Sequence, residues 1–353
     1  GEPRIDFLGN TKGALLLEPQ RTNLITYSEA FDNAYWTKVS SSVTSGFLSP
    51  KGDLSAFKLV ENTENAAHIT FASPTITLGN NTFSVFAKAA ERRVLGIEFP
   101  SNGILVSFDL IDGVFVNSQA NPDNFSITPF SNGWYRIDIT ENLIATSVVS
   151  LSLRDNDGNR VYQGDGTSGL YIYGAQLEVG SYATSYIPTS GQSGGVTRVG
   201  DVCNNGANSQ VINSTEGVLY LEGSALADDV LDKRIFLSDG TMNNYVAIGY
   251  SRFAGNIIAE MVTGGVLQTV DWGATGVNKT NNNKFALSWG SGTMKFYVNG
   301  NQTNTESVTS PTGLNVLEFN TAVDTLVMYS NTRDLRVYNT ALTSAELQAL
   351  TTI

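Results

Sequence analysis

The sequence predicts an all-β fold: two tandem β-sandwich domains closed by one short C-terminal helix. Three observations predict it. Charged residues make up only 15% of the 353, and 34 Gly, 17 Phe and 14 Tyr lie among many Ser, Thr and Asn. That is the profile of short strands joined by turns. Apolar residues recur with a period of two along much of the chain, the spacing of strands with one buried face. A helical signature stands out in one place, near the C-terminus. At this length the chain exceeds one ordinary core and suits two domains.

Four parts are expected: an extended N-terminal segment over 1–22, a first sandwich over 23–190, a linker over 191–213 packed at the junction, and a second sandwich over 214–353. The opening PRIDF is abrupt, as in a chain whose preceding part has been left out. In the first sandwich, strands are predicted at 56–60, 68–71, 83–89, 94–99, 104–109 and 113–116, and Asp112-Gly113 supplies a hairpin turn. SNGWYRIDIT at 131–140 sets Trp134, Arg136 and Asp138 against Tyr135, Ile137 and Ile139, a one-sided strand in which Trp134 is a core or rim residue. RDNDGNR at 154–160 is not an EF-hand loop, because Gly158 is fourth from Asp155 and the twelfth residue is Gly166. It reads as an exposed turn. LYIYGA at 170–175 alternates as the last strand, and PTSGQSGG at 188–195 is the clearest break. The following VTRVGDVC is too apolar for a free tether and is expected to hold the two domains in a fixed orientation.

The second sandwich is predicted from strands at 217–222, 234–237, 244–250, 256–262 and 267–271, then two strands around the Gly-Ser-Gly turn of 290–292. The closing helix carries its own signature. Thr343 followed by Glu346 makes a capping box, and Leu347 and Leu350 supply an apolar stripe.

Several of these segments carry a resemblance. GAQLEVG with SYIPT, read with GALLLEPQRTNL at 13–24 and the GWYR strand, resembles the carbohydrate-binding-module-like domain that recurs in bacteriophage fibre and appendage proteins. TNLITYSEAFDNAYWTK is similar to the opening of jelly-roll carbohydrate-binding modules. KFALSWGSGTMKFYVNG and LRVYNTALTSAELQAL resemble a hairpin and the close of laminin-G or concanavalin-like domains. The resemblance implies jelly-roll sandwiches, a virion-surface fibre or capsid-decorating protein, other virion proteins as partners, and a homo-oligomer. In the module family, a carboxylate after the Phe and an acid in the last strand hold a structural calcium. Asp32 supplies the first, but the last strand offers Gln176, so no cofactor is carried over and the metal stays open.

Composition and motifs narrow the chemistry. Net charge is −12, and residues 1–200 hold 13 basic and 19 acidic side chains, so each half carries −6. Such a chain repels phosphate backbones, and nucleic acid is excluded as a partner. No apolar run approaches the roughly 20 residues of a membrane-spanning helix, and membrane insertion is not expected. Cys203 is the single cysteine and His68 the single histidine, both read as structural. No strand sets acids in the pattern of a glycoside hydrolase, and no nucleophile elbow is present. The expectation is therefore a non-enzyme. Aromatics interleaved with amides can stack on a sugar ring while the amides hydrogen-bond its hydroxyls. Tyr35, Trp36, Tyr162, Tyr250 and Trp272, with Asp165 in the loop beside Tyr162, are the candidate glycan contacts. Attachment to host-surface or environmental glycans is the expected function. The alternatives are a purely structural virion module and the binding portion of a secreted bacterial glycan-degrading protein.

Overall fold

A computed structural model describes residues 4–7, 11–120, 122–271, 276–320 and 327–353. Over these residues the protein is nearly all β, with one short α-helix, as the sequence predicts. It divides into two compact units, Gln20–Val199 and Gly1–Pro19 together with Gly200–Ile353.

In the unit Gln20–Val199, two six-stranded antiparallel sheets face each other. One runs Val114–Ser118, Ile104–Asp109, Val94–Phe99, Val149–Leu153, His68–Ala72, Thr37–Val39. The other runs Asn124–Pro129, Tyr135–Leu143, Gly79–Ala89, Gly169–Val179, Ala56–Glu61, Ser41–Phe47. Alternate residues point inward, so Ile97, Val106, Phe108 and Leu151 of the first sheet meet Leu59, Phe83, Val85, Ile137 and Ile172 of the second in one core. The Asp112-Gly113 hairpin forms as expected. Gly113 sits at φ 66, and a Cβ there would meet the Tyr135 ring at 2.8 Å, so both conformation and space require glycine. The 154–160 turn closes on itself, with the Asp155 carboxylate accepting from the amides of Asp157 at 3.0 Å and Asn159 at 2.7 Å.

The other unit pairs a seven-stranded sheet with a five-stranded one. Its seven-stranded sheet contains two strands from the N-terminus, Arg4–Asp6 and Ala14–Leu17, the latter paired with Ser330–Tyr338 near the other end of the chain. Arg4–Asp6 and Ala14–Leu17 thus belong to this sheet rather than to a separate extended segment, because Leu17 completes a core with Leu219, Phe285 and Trp289. The expected linker also divides. Val196–Arg198 pairs with Arg21–Asn23 inside the unit Gln20–Val199, while the Cys203 carbonyl accepts from the Phe319 amide in the other unit.

The helix Ser344–Thr351 begins with the predicted capping box, the Glu346 carboxylate accepting from the Thr343 amide at 2.8 Å while the Thr343 hydroxyl caps the Glu346 amide. Leu347 seats it on Val218, Tyr220, Ala286 and Tyr297. Thr343→Ala is expected to lower stability by about 1 kcal/mol. Urea unfolding checks this, and a change within error would show that the box is not holding the helix.

Candidate functional site

Most of the aromatics singled out from sequence are core residues. Trp36 is 1% exposed; its ring lies 4.8 Å from Phe31, and its indole N–H donates to the Tyr27 carbonyl at 2.8 Å. Tyr162 is buried with its ring 4.7 Å from His68, and its hydroxyl donates to Glu61 at 2.7 Å. Burial and that carboxylate together push its phenol far up. Tyr250 is fully buried against Phe285, its hydroxyl donating to the Gly223 carbonyl at 2.7 Å. These three expectations are corrected: a tyrosine or tryptophan whose polar tip finds an internal partner goes inside. Trp134 is likewise 1% exposed, in line with the core reading. Trp272 lies outside the described residues.

Asp165 is exposed, and its carboxylate is engaged within its own loop. Its carboxylate accepts from the amides of Thr167 and Ser168, both at 2.7 Å, and from their hydroxyls at 2.9 and 2.5 Å. The Ser168 bonds, followed by those from Thr167, hold it far below the usual carboxylate range. Its amide donates to Glu61, which also takes both ends of the Arg92 guanidinium, at 2.8 and 2.6 Å. This network ties a loop down.

The positions suggested for calcium do not fit one. Gln176 and Glu178 are fully buried. The Gln176 oxygen accepts from the Ile187 amide at 2.7 Å, and Glu178 accepts from the Gln176 side chain and from the amide and hydroxyl of Thr184, all at 2.7–2.8 Å. These groups anchor the 184–187 segment, the physical reason for the GAQLEV…SYIPT pairing. Asp32 is exposed. Among the described residues, no three His, Cys, Asp or Glu side chains gather around one point. His68 is fully buried with both ring nitrogens facing backbone carbonyls, of Ser40 at 2.6 Å and Tyr162 at 3.3 Å. Half-burial pushes the Cys203 thiol up.

Tyr35 lines an opening, a cavity of about 320 Å³ in the unit Gln20–Val199. Leu24 and Thr26 form one wall, 73–75 (Ser-Pro-Thr) a second, and Gly191, Ser193 and Gly194 a third. The Tyr35 ring is half-buried, 5.7 Å from Tyr27 and edge-on to Trp36 at 5.9 Å. Burial pushes its phenol up, partly offset by the amide and hydroxyl of Thr26. Its oxygen is buried, and among the described residues no well-aligned partner reaches it.

Hydrogen bonds tie the first wall to the third. The Gly191 amide donates to the Thr26 carbonyl at 2.6 Å, and Thr189 bonds Ser28 in both directions, its amide to the Ser28 hydroxyl at 2.8 Å and its own hydroxyl taking the Ser28 amide at 3.0 Å. Gly191 sits at φ 87, and a Cβ there would lie 2.8 Å from the Tyr27 hydroxyl. From the sequence, these glycines belong to the linker of 191–213. The signal that points to the wall is SGQSGG following directly on a segment held by buried Gln176. The arrangement offers a preformed pocket with one aromatic face and several hydroxyls, at the small end of the roughly 300–1,000 Å³ typical of ligand sites.

A larger cleft of about 550 Å³ lies in the other unit, between 209–215 and 313–315. Among the described residues no aromatic lines it. Its central amide, Asn213, already donates to the Asn339 carbonyl at 3.0 Å and accepts from Thr215.

No protein-family model matches the chain, and no curated protein matches it. Solved structures resemble parts of it. The Ruminococcus gnavus IT-sialidase CBM40 aligns over 39% of this chain and 84% of its own, at 19% identity and a TM-score of 0.34. A heptameric SAP-like pentraxin from Limulus polyphemus aligns over 41% and 72%, at 11% identity and 0.34. The galectin LEC-6 of Caenorhabditis elegans aligns over 37% and 93%, at 16% identity and 0.28.

Proposed function

We propose that this chain is a non-enzymatic glycan-binding protein that contacts sugar through Tyr35, as part of a virion fibre or capsid-decorating appendage. One observation carries the binding reading: an aromatic ring and a set of hydroxyls converge on a cavity, two of whose walls are tied together by the Gly191 amide on the Thr26 carbonyl. A sugar presents an apolar C–H face and a rim of hydroxyls, which these two kinds of surface complement. The virion setting rests on the sequence resemblance of GAQLEVG, SYIPT and GWYR. One such pocket binds weakly, so copies carried together on one particle supply the avidity, and a homo-oligomer fits that need.

A second reading, a structural virion module without ligand, is favoured by the burial of Trp36, Tyr162 and Tyr250. A glycan array probed with the intact chain at high surface density separates the two. Binding that falls about tenfold in Tyr35→Ala, equivalent to roughly 1.4 kcal/mol, while Tyr35→Phe, which keeps the ring packing, retains it, is the expected result. No binding at any density removes the glycan reading and leaves the structural one.

A further inference from the structure

The cavity beside Tyr35 has a chemistry narrower than glycans in general. Among the described residues none of its lining side chains is charged; the polar groups are the hydroxyls of Thr26, Ser73, Thr75 and Ser193, with glycine backbone between them, while the Tyr35 oxygen itself is buried and leaves its ring as that residue's contribution. Hydroxyls and amides can donate to or accept from sugar hydroxyls equally well, but they cannot neutralise a carboxylate. An anionic sugar entering this cavity gives up water without gaining a counter-charge, which is unfavourable in a half-buried site. The surrounding field opposes it too, since residues 1–200 carry −6 of the chain's −12.

The same unit does contain a pair of guanidinium groups suited to a carboxylate, and both are already engaged. Arg154 donates to Glu98 at 2.8 Å, and Arg160 donates to both Glu98 oxygens at 3.0 Å. Gly96 makes room for that arrangement: a Cβ there would lie 2.6 Å from the Arg154 guanidinium. Glu98 is fully buried and Arg154 3% exposed, so the protein's own carboxylate fills the place that an acidic ligand would need.

From these observations, and resting on the glycan reading above, we infer that the Tyr35 cavity selects neutral sugars and discriminates against sialylated and uronate-bearing ones. The apolar face of the ring lies on Tyr35, and hydroxyls answer hydroxyls around it.

Matched sugars that differ only at C6 test this most cleanly: glucose against glucuronate and galactose against galacturonate, titrated into the full chain and followed by saturation-transfer NMR. The neutral member of at least one pair is expected to bind, with the uronate about tenfold weaker or more at low salt. The gap narrows as salt screens the protein's field. Tyr35→Ala weakens neutral binding about tenfold, and Tyr35→Phe, which keeps the ring and the packing, retains most of it. A uronate that binds as tightly as its neutral partner and is weakened in Tyr35→Ala overturns the selectivity while leaving the glycan reading intact. Neutral binding that is unchanged in Tyr35→Ala overturns the assignment of the cavity. If no sugar binds here or on the array, both proposals fail together.

Discussion

Replacing Trp36 with alanine is expected to lower the stability of the unit Gln20–Val199 by roughly 3–5 kcal/mol, the range for deleting a fully buried large aromatic. The ring is 1% exposed, lies 4.8 Å from Phe31, and shares a core with Phe57, Phe83 and Ile97. Its N–H holds the Tyr27 carbonyl, so the variant also leaves that buried acceptor without its partner. Trp36→Phe keeps most of the volume and should fall well short of the alanine loss. Denaturant unfolding followed by tyrosine fluorescence measures both. A loss below about 1 kcal/mol for the alanine variant would mean that the ring is not a core residue, reinstating it as an exposed sugar platform.

The second large effect is electrostatic. Glu98→Gln is expected to destabilise the same unit by about 3–5 kcal/mol, because it leaves Arg154 buried and charged without its counter-ion. Arg160, whose side chain is 37% exposed, recovers part of its hydration. The Arg154 guanidinium, at 4%, does not. Removing both charges with Glu98→Gln/Arg154→Met is expected to restore part of the loss, since a buried pair is worth little against an apolar replacement.

The pH dependence follows from the same group. Burial alone would raise the Glu98 carboxyl, but the Arg160 bond and the charges of Arg154 and Arg160 reverse this and hold it below the ordinary glutamate value of 4.5. Its contribution is therefore complete above about 4.5 and is lost as pH falls through the depressed folded value. Glu61, which burial raises but Arg92 and Tyr162 hold down, acts in the same direction. Unfolding midpoints should drop below pH 4.5, and the drop should be shallower in Glu98→Gln. A variant that keeps the full acid sensitivity would show that Glu98 does not carry it.

What was legible in the sequence was the pattern that repeats. Period-two alternation located strands such as Tyr135–Leu143 and Gly169–Val179, Asp112-Gly113 located a hairpin, and Thr343 with Glu346 located the helix start. Local rules reach that far because they act over a few residues. The pairing of Ala14–Leu17 with Ser330–Tyr338 has no local signal, which is why the N-terminus was expected as a segment apart.

Burial of aromatics failed for a related reason. Trp36 lies in the polar run FDNAYWTK and looks like a rim residue, but the turn folds Phe31 and Trp36 inward together and leaves Tyr35 between them at the edge. Tyr162 and Tyr250 each satisfy a hydroxyl on a partner far away in sequence, Glu61 and Gly223. The cavity wall at 191–194 was read as linker because glycine and serine carry no pattern that distinguishes a tether from a pinned loop.

The most direct measurement is a crystal structure of the chain soaked with a neutral oligosaccharide that binds it in solution. The expected result is a sugar ring stacked on Tyr35, with hydroxyls within hydrogen-bond distance of Thr26, Ser73 or Ser193. Density for the sugar elsewhere on the chain, with the Tyr35 cavity empty, would contradict it.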